Sequence, residues 1–171
     1  MGEEYITLDD NTLREIQVLA EQLAELYRKQ LDENQGPYNA PITASGGLKD
    51  FQTTVQYGMN HFLVNFDLQN YWKWVENGRN PGKQPPQQAI ERWVEVKKLV
   101  PDSRDHKIPN TKQLVYLIAR KIGREGYEAR HPLQKAQESN EWQTIINEIK
   151  SVITNSIKKK INTELKDALS I

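Results

Sequence analysis

The sequence contains no cysteine, and this absence removes several classes of function. Without thiols there is no disulfide, no cysteine nucleophile and no Cys-based zinc or iron–sulfur site. The three histidines, at positions 61, 106 and 131, are scattered, so a histidine cluster is excluded too. No Gly-rich phosphate loop, paired-histidine metal signature or nucleophile elbow occurs. We therefore expect a protein that is not an enzyme and that uses no metal and no cofactor.

Long apolar runs and a basic leader are also lacking. No hydrophobic stretch approaches the roughly 20 residues that cross a bilayer, and residues 1–4 are acidic where a signal peptide would be basic. These features predict a soluble protein made in a cytoplasm. Hydrophobic residues make up 37% of the chain and the mean hydropathy is -0.78, which is polar for the single domain that 171 residues predict.

The net charge is zero, which argues against a protein whose main task is to coat DNA or RNA. The charges are nevertheless unevenly placed. Nine acidic and three basic residues precede position 35, whereas twelve basic and seven acidic residues lie between Lys73 and Lys135. An acidic start and a basic middle suit head-to-tail contact between copies. Two solvated faces with no partner explain the pattern equally well.

Periodic apolar residues predict an α+β fold that begins with a long helix. Apolar side chains recur at three- and four-residue spacing from Leu13 to Leu31, with Asp9 or Asp10 as the cap and a breaker at 34–37. Two alternating segments follow, 51–57 and 62–68, which predict a small antiparallel β-hairpin. Phe51, Thr53, Val55 and Tyr57 share one face of the first strand, and Phe62, Val64 and Phe66 share one face of its partner.

The second half of the chain predicts several flanking helices and a long C-terminal helix. We expect helices from about Gln87 to before Pro101, from about Thr111 to Gly123, from Pro132 over a short turn, and over 140–171. The last helix has a narrow apolar stripe, as a helix packing on a neighbouring subunit would. Segments 1–12 and 36–47 are expected to be mobile.

An aromatic run beside a basic loop is the candidate interaction site. Tyr71–Val75 is aromatic, and Arg79–Lys83 is a basic loop. Charge next to stacking rings is typical of a nucleic-acid platform, although an apolar run is more often core. Glu76 is expected to form an ion pair with Arg79 or a lysine and so to pin the loop, rather than to join a nuclease metal site. The residues that we expect at a subunit contact are Trp72, Trp74, Glu76, Arg79, Lys83 and Trp93.

The order of several short motifs resembles that of a known family. The segment 43–49 (TASGGLK) leads into the hairpin, 71–79 (YWKWVENGR) and 81–86 (PGKQPP) follow it, and 131–136 (HPLQKA) comes late, after Gly126. In this order, from Leu13 to Glu138, the chain resembles the tail-completion, or neck, proteins of tailed bacteriophages. That family shows a small-Gly-x-Leu segment before the first strand, a Tyr…Val-Glu-x-Gly segment and a late Pro-containing turn.

The resemblance implies a structural virion protein with an α+β fold. Such a subunit forms a homo-oligomeric ring, the head–tail connector, between the portal or adaptor protein and the tail proteins. It is made in the host cytoplasm, has no membrane partner, and meets nucleic acid only as DNA passing through the ring. The alternative is a phage-encoded DNA-binding module, whose basic residues would be Arg79, Lys83, Lys97, Lys98 and Lys107.

Overall fold

The fold is described from a computed structural model, which describes residues 8–33, 47–57, 62–101 and 110–169. Within these ranges the elements are α1 (Asp10–Glu33), β1 (Thr53–Tyr57), β2 (Phe62–Phe66), α2 (Trp72–Asn77), α3 (Gln87–Val96), α4 (Thr111–Glu125), α5 (Pro132–Glu138) and α6 (Asn140–Leu169). The predicted α+β class, with a long helix at each end of the chain and one antiparallel hairpin, is confirmed.

The described residues pack into two compact units. Unit 1 comprises 1–30, 50–68 and 133–171, and unit 2 comprises 31–49 and 69–132. The assignment of the whole chain to a single domain stays a prediction. Of the two segments expected to be mobile, 1–12 and 36–47, residues 1–7 and 36–46 lie outside the described residues. None of the helices in the described ranges combines the length and apolar composition that a membrane-spanning segment requires.

Helix α1 supplies the centre of unit 1. Its side chains at three- and four-residue spacing are fully or almost fully buried, namely Ile16, Leu19, Ala20, Leu23, Ala24 and Tyr27. The helix starts where the Thr12 backbone N–H donates to Asp9 Oδ1 at 2.8 Å, as an N-cap requires. This hydrogen bond is the main reason that the pKa of Asp9 lies below its ordinary value.

The hairpin of unit 1 is antiparallel, and residues that were predicted to share a face are paired across it. Thr53 pairs with Phe66, Val55 with Val64, and Tyr57 with Phe62. These side chains are on average less exposed than their strand neighbours, and Thr53 is buried. The segment between the two strands, 58–61, lies outside the described residues.

Aromatic rings connect the three parts of unit 1. Tyr27 on α1 contacts Phe51, with ring centroids 5.7 Å apart, and Phe51 contacts Phe66 on β2 at 5.6 Å. Phe66 in turn meets Trp142 on α6 edge-on at 6.2 Å. Because two strands alone are not stable in water, the hairpin depends on these helices.

Unit 2 has a smaller apolar core formed by α3 and α4. Ile90 and Val94 of α3 pack with Val115 and Ala119 of α4, and Leu114, Ile118 and Ile122 cover this cluster in part. Asn110 caps α4, because its Oδ1 accepts from the Gln113 backbone N–H at 2.9 Å. Residues 78–86 connect α2 to α3, and residues 126–131 lead from α4 to the start of α5.

Candidate functional site

Two distant segments of unit 2 are joined by their backbones. Arg79 and Tyr127 exchange both N–H···O bonds, each at 2.9 Å. On one side of this bridge the Gly82 N–H donates to the Gly123 carbonyl at 2.7 Å, and on the other the Arg130 N–H donates to Val75 at 3.1 Å. We term these segments, 75–82 and 123–131, the backbone clasp. It fixes the start of the basic loop against the end of α4.

Two glycines allow the clasp to close. Gly78 has φ 68° and ψ -162°, and Gly126 has φ 66° and ψ -154°. Only glycine occupies this region of backbone conformation at low cost. A Cβ on Gly126 would also lie 2.0 Å from the Arg79 carbonyl oxygen, and one on Gly78 would lie 2.5 Å from the Ala129 nitrogen.

The Arg79 side chain holds the basic loop and faces an aromatic ring. Its guanidinium donates from Nη2 to the Lys83 carbonyl oxygen. The same guanidinium lies over the Trp74 ring, 5.7 Å from its centroid, within cation–π range. Arg79 thus connects the loop to the aromatic run through a carbonyl oxygen and a ring. The expected ion pair of Glu76 with Arg79 or a lysine stays a prediction.

Tyr127 completes this group of side chains. It lies opposite Arg79 in the bridge and is 42% exposed. Partial burial raises the pKa of its hydroxyl, and the positive charge of Arg79 offsets part of that effect. We term Trp74, Arg79, Lys83 and Tyr127 the Arg79 cluster.

The predicted contact residues have different degrees of burial. Trp74 is 51% and Trp93 is 45% exposed, whereas Glu76 is buried. Trp72 and Arg79 are half-buried and Lys83 is exposed. Five of these six residues lie on α2 or in the loop after it, and Trp93 lies on α3. The Glu76 backbone carbonyl accepts from the His131 N–H at 3.3 Å, which connects Glu76 to the clasp.

The interpretation of the aromatic run as core is wrong for two of its residues. Tyr71 is 40% and Trp74 is 51% exposed. Residues 72–75 of the run are in α2, a helix of only six residues with Tyr71 as its N-cap, and a short helix covers few side chains. Its buried side chain is Glu76. Because a helix turns 100° per residue, five consecutive positions cannot all face inward.

Sequence reasoning did not find Tyr127, and it gave Gly78 and Gly126 only as parts of the motifs that carry the resemblance, not as residues that join two segments. Gly126 and Tyr127 follow the end of α4 directly, and glycine at such a position only indicates that the helix ends. Nothing in the local pattern indicates that residue 127 pairs with residue 79.

The chemistry that the Arg79 cluster offers is binding. Two exposed rings and a guanidinium are held on a backbone that hydrogen bonds fix, which suits stacking and charge-assisted contacts. Among the described residues, no group of three or more His, Asp or Glu side chains is placed to hold a metal ion. Of the basic residues predicted for DNA binding, Lys107 lies outside the described residues, and burial lowers the pKa of Lys97.

A concave surface lies in unit 1. It is an open groove between the start of α1 and α6, lined by Leu8, Asp9, Ser156, Lys159, Lys160 and Thr163. In the same region Thr12 Oγ1 donates to Ser156 Oγ at 3.0 Å. The groove presents a few polar groups without a ring or a buried charge, so we regard the Arg79 cluster as the stronger candidate.

The chain was compared with protein-family models, with curated proteins and with solved structures, and none of them matches it.

Proposed function

We propose that the protein is a structural subunit of a bacteriophage head–tail connector. In this proposal copies of the chain assemble into a ring in the neck of the virion, between the portal or adaptor protein and the tail proteins. The protein catalyses no reaction, and DNA is a partner only as it passes through the ring.

The single observation that carries the proposal is the backbone clasp. Two of the motifs of the resemblance, 71–79 and 131–136, are about 50 residues apart in sequence. A hydrogen bond nevertheless connects them, since the Glu76 carbonyl accepts from the His131 N–H at 3.3 Å, and Arg130, directly before the second motif, donates to Val75 at 3.1 Å. Motifs that build one surface are expected to be neighbours in the fold. The contact between these two motifs therefore supports the view that the order of the motifs along the chain is not a coincidence.

The exposed side chains of the Arg79 cluster are those that protein interfaces favour. Tryptophan, tyrosine and arginine are enriched where a few residues carry most of the binding energy. Trp74 and Tyr127 are among the exposed aromatic residues, and Arg79 lies between them in contact with Trp74 and paired with Tyr127. This arrangement supports a contact with a neighbouring subunit or another neck protein.

The location of the protein is the first test. Mass spectrometry of purified phage particles should find it at a copy number typical of a ring. Electron microscopy of particles made without it should show filled heads that lack tails. If the protein is absent from particles, the connector proposal fails.

A pair of charge-matched variants tests the site. Arg79→Glu should block assembly of tailed particles while the isolated protein stays folded, because it reverses the charge beside Trp74. Lys112→Glu is the control, since it makes the same change of charge at an exposed position on α4. Equal assembly by both variants would show that the Arg79 cluster is not a contact.

The second candidate function is DNA binding, and one observation favours it. Exposed rings beside Arg79 and Lys83 match the stacking and charge that single-stranded nucleic acid uses. DNA binding predicts an affinity for a labelled oligonucleotide that falls steeply as salt rises. A ring contact with apolar side chains should persist under the same conditions.

A further inference from the structure

The hairpin of unit 1 pairs two strands with each other, so within the described residues each strand has one outer edge. In an antiparallel pair, residues that bond across the sheet alternate along each strand with residues whose backbone groups point outward. The Asp67 N–H donates to the Gln52 carbonyl at 3.0 Å, which sets this alternation in the observed register. The backbone N–H and C=O groups of Phe62, Val64 and Phe66 therefore point away from β1.

These outward groups lack a hydrogen-bond partner, with one exception. In the described part of the chain, no hydrogen bond is made by the outward backbone groups of Phe62 and Val64 or by the Phe66 N–H. The Phe66 carbonyl accepts from the Leu68 N–H at 3.0 Å, within the same segment. Backbone N–H and C=O groups are strong hydrogen-bonding groups, and a row of them along a strand edge is a template for a further strand.

β2 carries none of the features that usually prevent strand addition. Natural proteins protect edge strands with charged side chains, proline or a β-bulge. The sequence of β2, FLVNF, contains no charged residue and no proline. The pairing with β1 runs without interruption from Phe62 to Phe66, so no bulge bends the strand. The edge of β2 is therefore regular and uncharged, as the addition of a strand requires.

The outer edge of β1 differs, because helix α1 already uses its beginning. The Thr53 carbonyl accepts from Gln17 Nε2 at 2.8 Å. The Phe51 carbonyl, just before the strand, accepts from Arg28 Nη2 at 3.1 Å. A strand that added along this edge would have to displace these hydrogen bonds. Strand addition is therefore expected at the edge of β2, and the edge of β1 in another copy is a poor partner for it.

β2 is complementary to itself. Phe62 and Phe66 lie at equal distances from Val64, in the middle of the strand. Two antiparallel copies of β2 that meet at Val64 place Phe62 of each copy opposite Phe66 of the other. The outward backbone groups of all three residues then face each other, as hydrogen-bonded pairs require. The three side chains are half-buried, and aromatic pairs across neighbouring strands stabilise a sheet.

We propose that β2 pairs with β2 of a second copy about a two-fold axis at Val64, so that two hairpins form one four-stranded antiparallel sheet. Two strands alone are marginally stable in water, whereas a larger sheet with an apolar face is stable. Because both copies use the same surface, the contact closes at a dimer. This inference goes beyond the connector proposal, since it concerns unit 1 and holds whether or not the protein is in a virion.

Two exposed residues on the other face of β2 provide the test. In the proposed register Leu63, which is 44% exposed, lies opposite Asn65 of the second copy, which is also exposed. One variant carries Leu63→Lys with Asn65→Lys, and a second carries Leu63→Glu with Asn65→Glu. The control carries Thr54→Lys with Gln56→Lys, at exposed positions of β1 that pair with Asn65 and Leu63 in the same hairpin. Circular dichroism should show all three variants folded like the unaltered chain.

Sedimentation of the full chain should then detect the pairing. The unaltered 19.9 kDa chain and the control should form dimers as concentration rises. The double-lysine and double-glutamate variants should each dimerise at least about 10-fold more weakly, because like charges face each other across the two strands. An equimolar mixture of these two variants should restore a dimer with one copy of each, since every lysine then faces a glutamate.

Three results would overturn the inference. An unaltered chain that stays monomeric at all concentrations would exclude the contact. Equal dimerisation of the double-lysine variant and the control would show that the copies associate through another surface. A mixture of the two charged variants that stays monomeric would show that the strands do not meet at Val64. None of these results decides whether the protein is in the virion, which mass spectrometry of particles measures separately.

Discussion

The two units of this protein are stabilised by different kinds of interaction. Unit 1 depends on side chains, because α1 buries an apolar face and a series of rings connects it to the hairpin and α6. Unit 2 has a small cluster between α3 and α4, and backbone hydrogen bonds around Arg79 and Tyr127 order the rest. The surface aromatics Trp74 and Trp93 belong to unit 2.

This difference predicts which kinds of substitution each unit should tolerate. In unit 1 the volume of a side chain matters, since a cavity in a packed core costs free energy. In unit 2 the backbone conformation at two glycines matters, while large side chains nearby are exposed. A unit whose fold depends on backbone hydrogen bonds can therefore expose aromatic rings for binding without losing its fold.

The largest effect is expected from Tyr27→Ala in unit 1. Tyr27 is fully buried and contacts Phe51, so its loss should lower the free energy of unfolding by about 3–5 kcal/mol. Hydrogen exchange should show faster exchange in α1 and β1 than in α4. Tyr27→Phe keeps the ring and is the control. An equal increase of the hydrogen-exchange rate in both units would mean that the units unfold together.

Gly126→Ala should have the next largest effect, and it should fall on unit 2. The new Cβ would meet the Arg79 carbonyl oxygen in a backbone conformation that favours glycine, which predicts a loss of roughly 2–4 kcal/mol. Exchange at the amides of Arg79 and Tyr127 should accelerate. Arg120→Ala, at an exposed position on α4, is the control and should change neither the free energy of unfolding nor these exchange rates. A Gly126→Ala variant of unchanged stability would contradict the role of the clasp.

Trp74→Ala should cost little stability, in contrast to Tyr27→Ala. The ring is half-exposed and its contact is with Arg79, so we expect a loss of under about 1 kcal/mol in chemical denaturation. Assembly of tailed particles should nevertheless fail if the Arg79 cluster is a subunit contact. A large loss of stability instead would assign Trp74 to the core of unit 2.

The smallest effect concerns the pH dependence of unit 1. A hydrogen bond from Arg28, 2.8 Å from Glu21 Oε1, holds the pKa of Glu21 below its ordinary value. A carboxyl group with a lowered folded-state pKa stabilises the fold above its unfolded pKa, and this contribution disappears as pH falls through the folded value. Because the pair is largely solvent-screened, the contribution should be about 0.5 kcal/mol.

Glu21→Gln tests this contribution. The variant should lose less stability than the unaltered chain when the pH is lowered from neutrality to below the ordinary pKa of glutamate, in thermal melts at constant ionic strength. Glu15→Gln, exposed on the same helix, is the control. An identical acid dependence of the Glu21→Gln variant and the unaltered chain would mean that the Arg28 contact contributes nothing.

Elements with a clear period could be predicted from the sequence with few errors. The bounds of α1 and the inner face of the hairpin agree with the structure, because alternation and three- to four-residue spacing report directly which side is buried. The site was predicted in part. Arg79 and Trp74 are in contact as neighbours in a short segment, but Tyr127 was missed because its position depends on a pairing across 48 residues.

The sequence by itself therefore determined the longer helices, the hairpin and the uneven placement of charge, since these depend on local periodicity and composition. It did not predict the short helix α2 (Trp72–Asn77), whose aromatic run shows no helical period. Only the tertiary structure decided which apolar residues are covered. The stripe of α6 continues from Ile145 to Leu169 in the sequence, yet Trp142, Ile145 and Ile149 are buried and Leu165 and Leu169 are exposed. Burial depends on what packs against a helix, and residues far apart in sequence supply that packing.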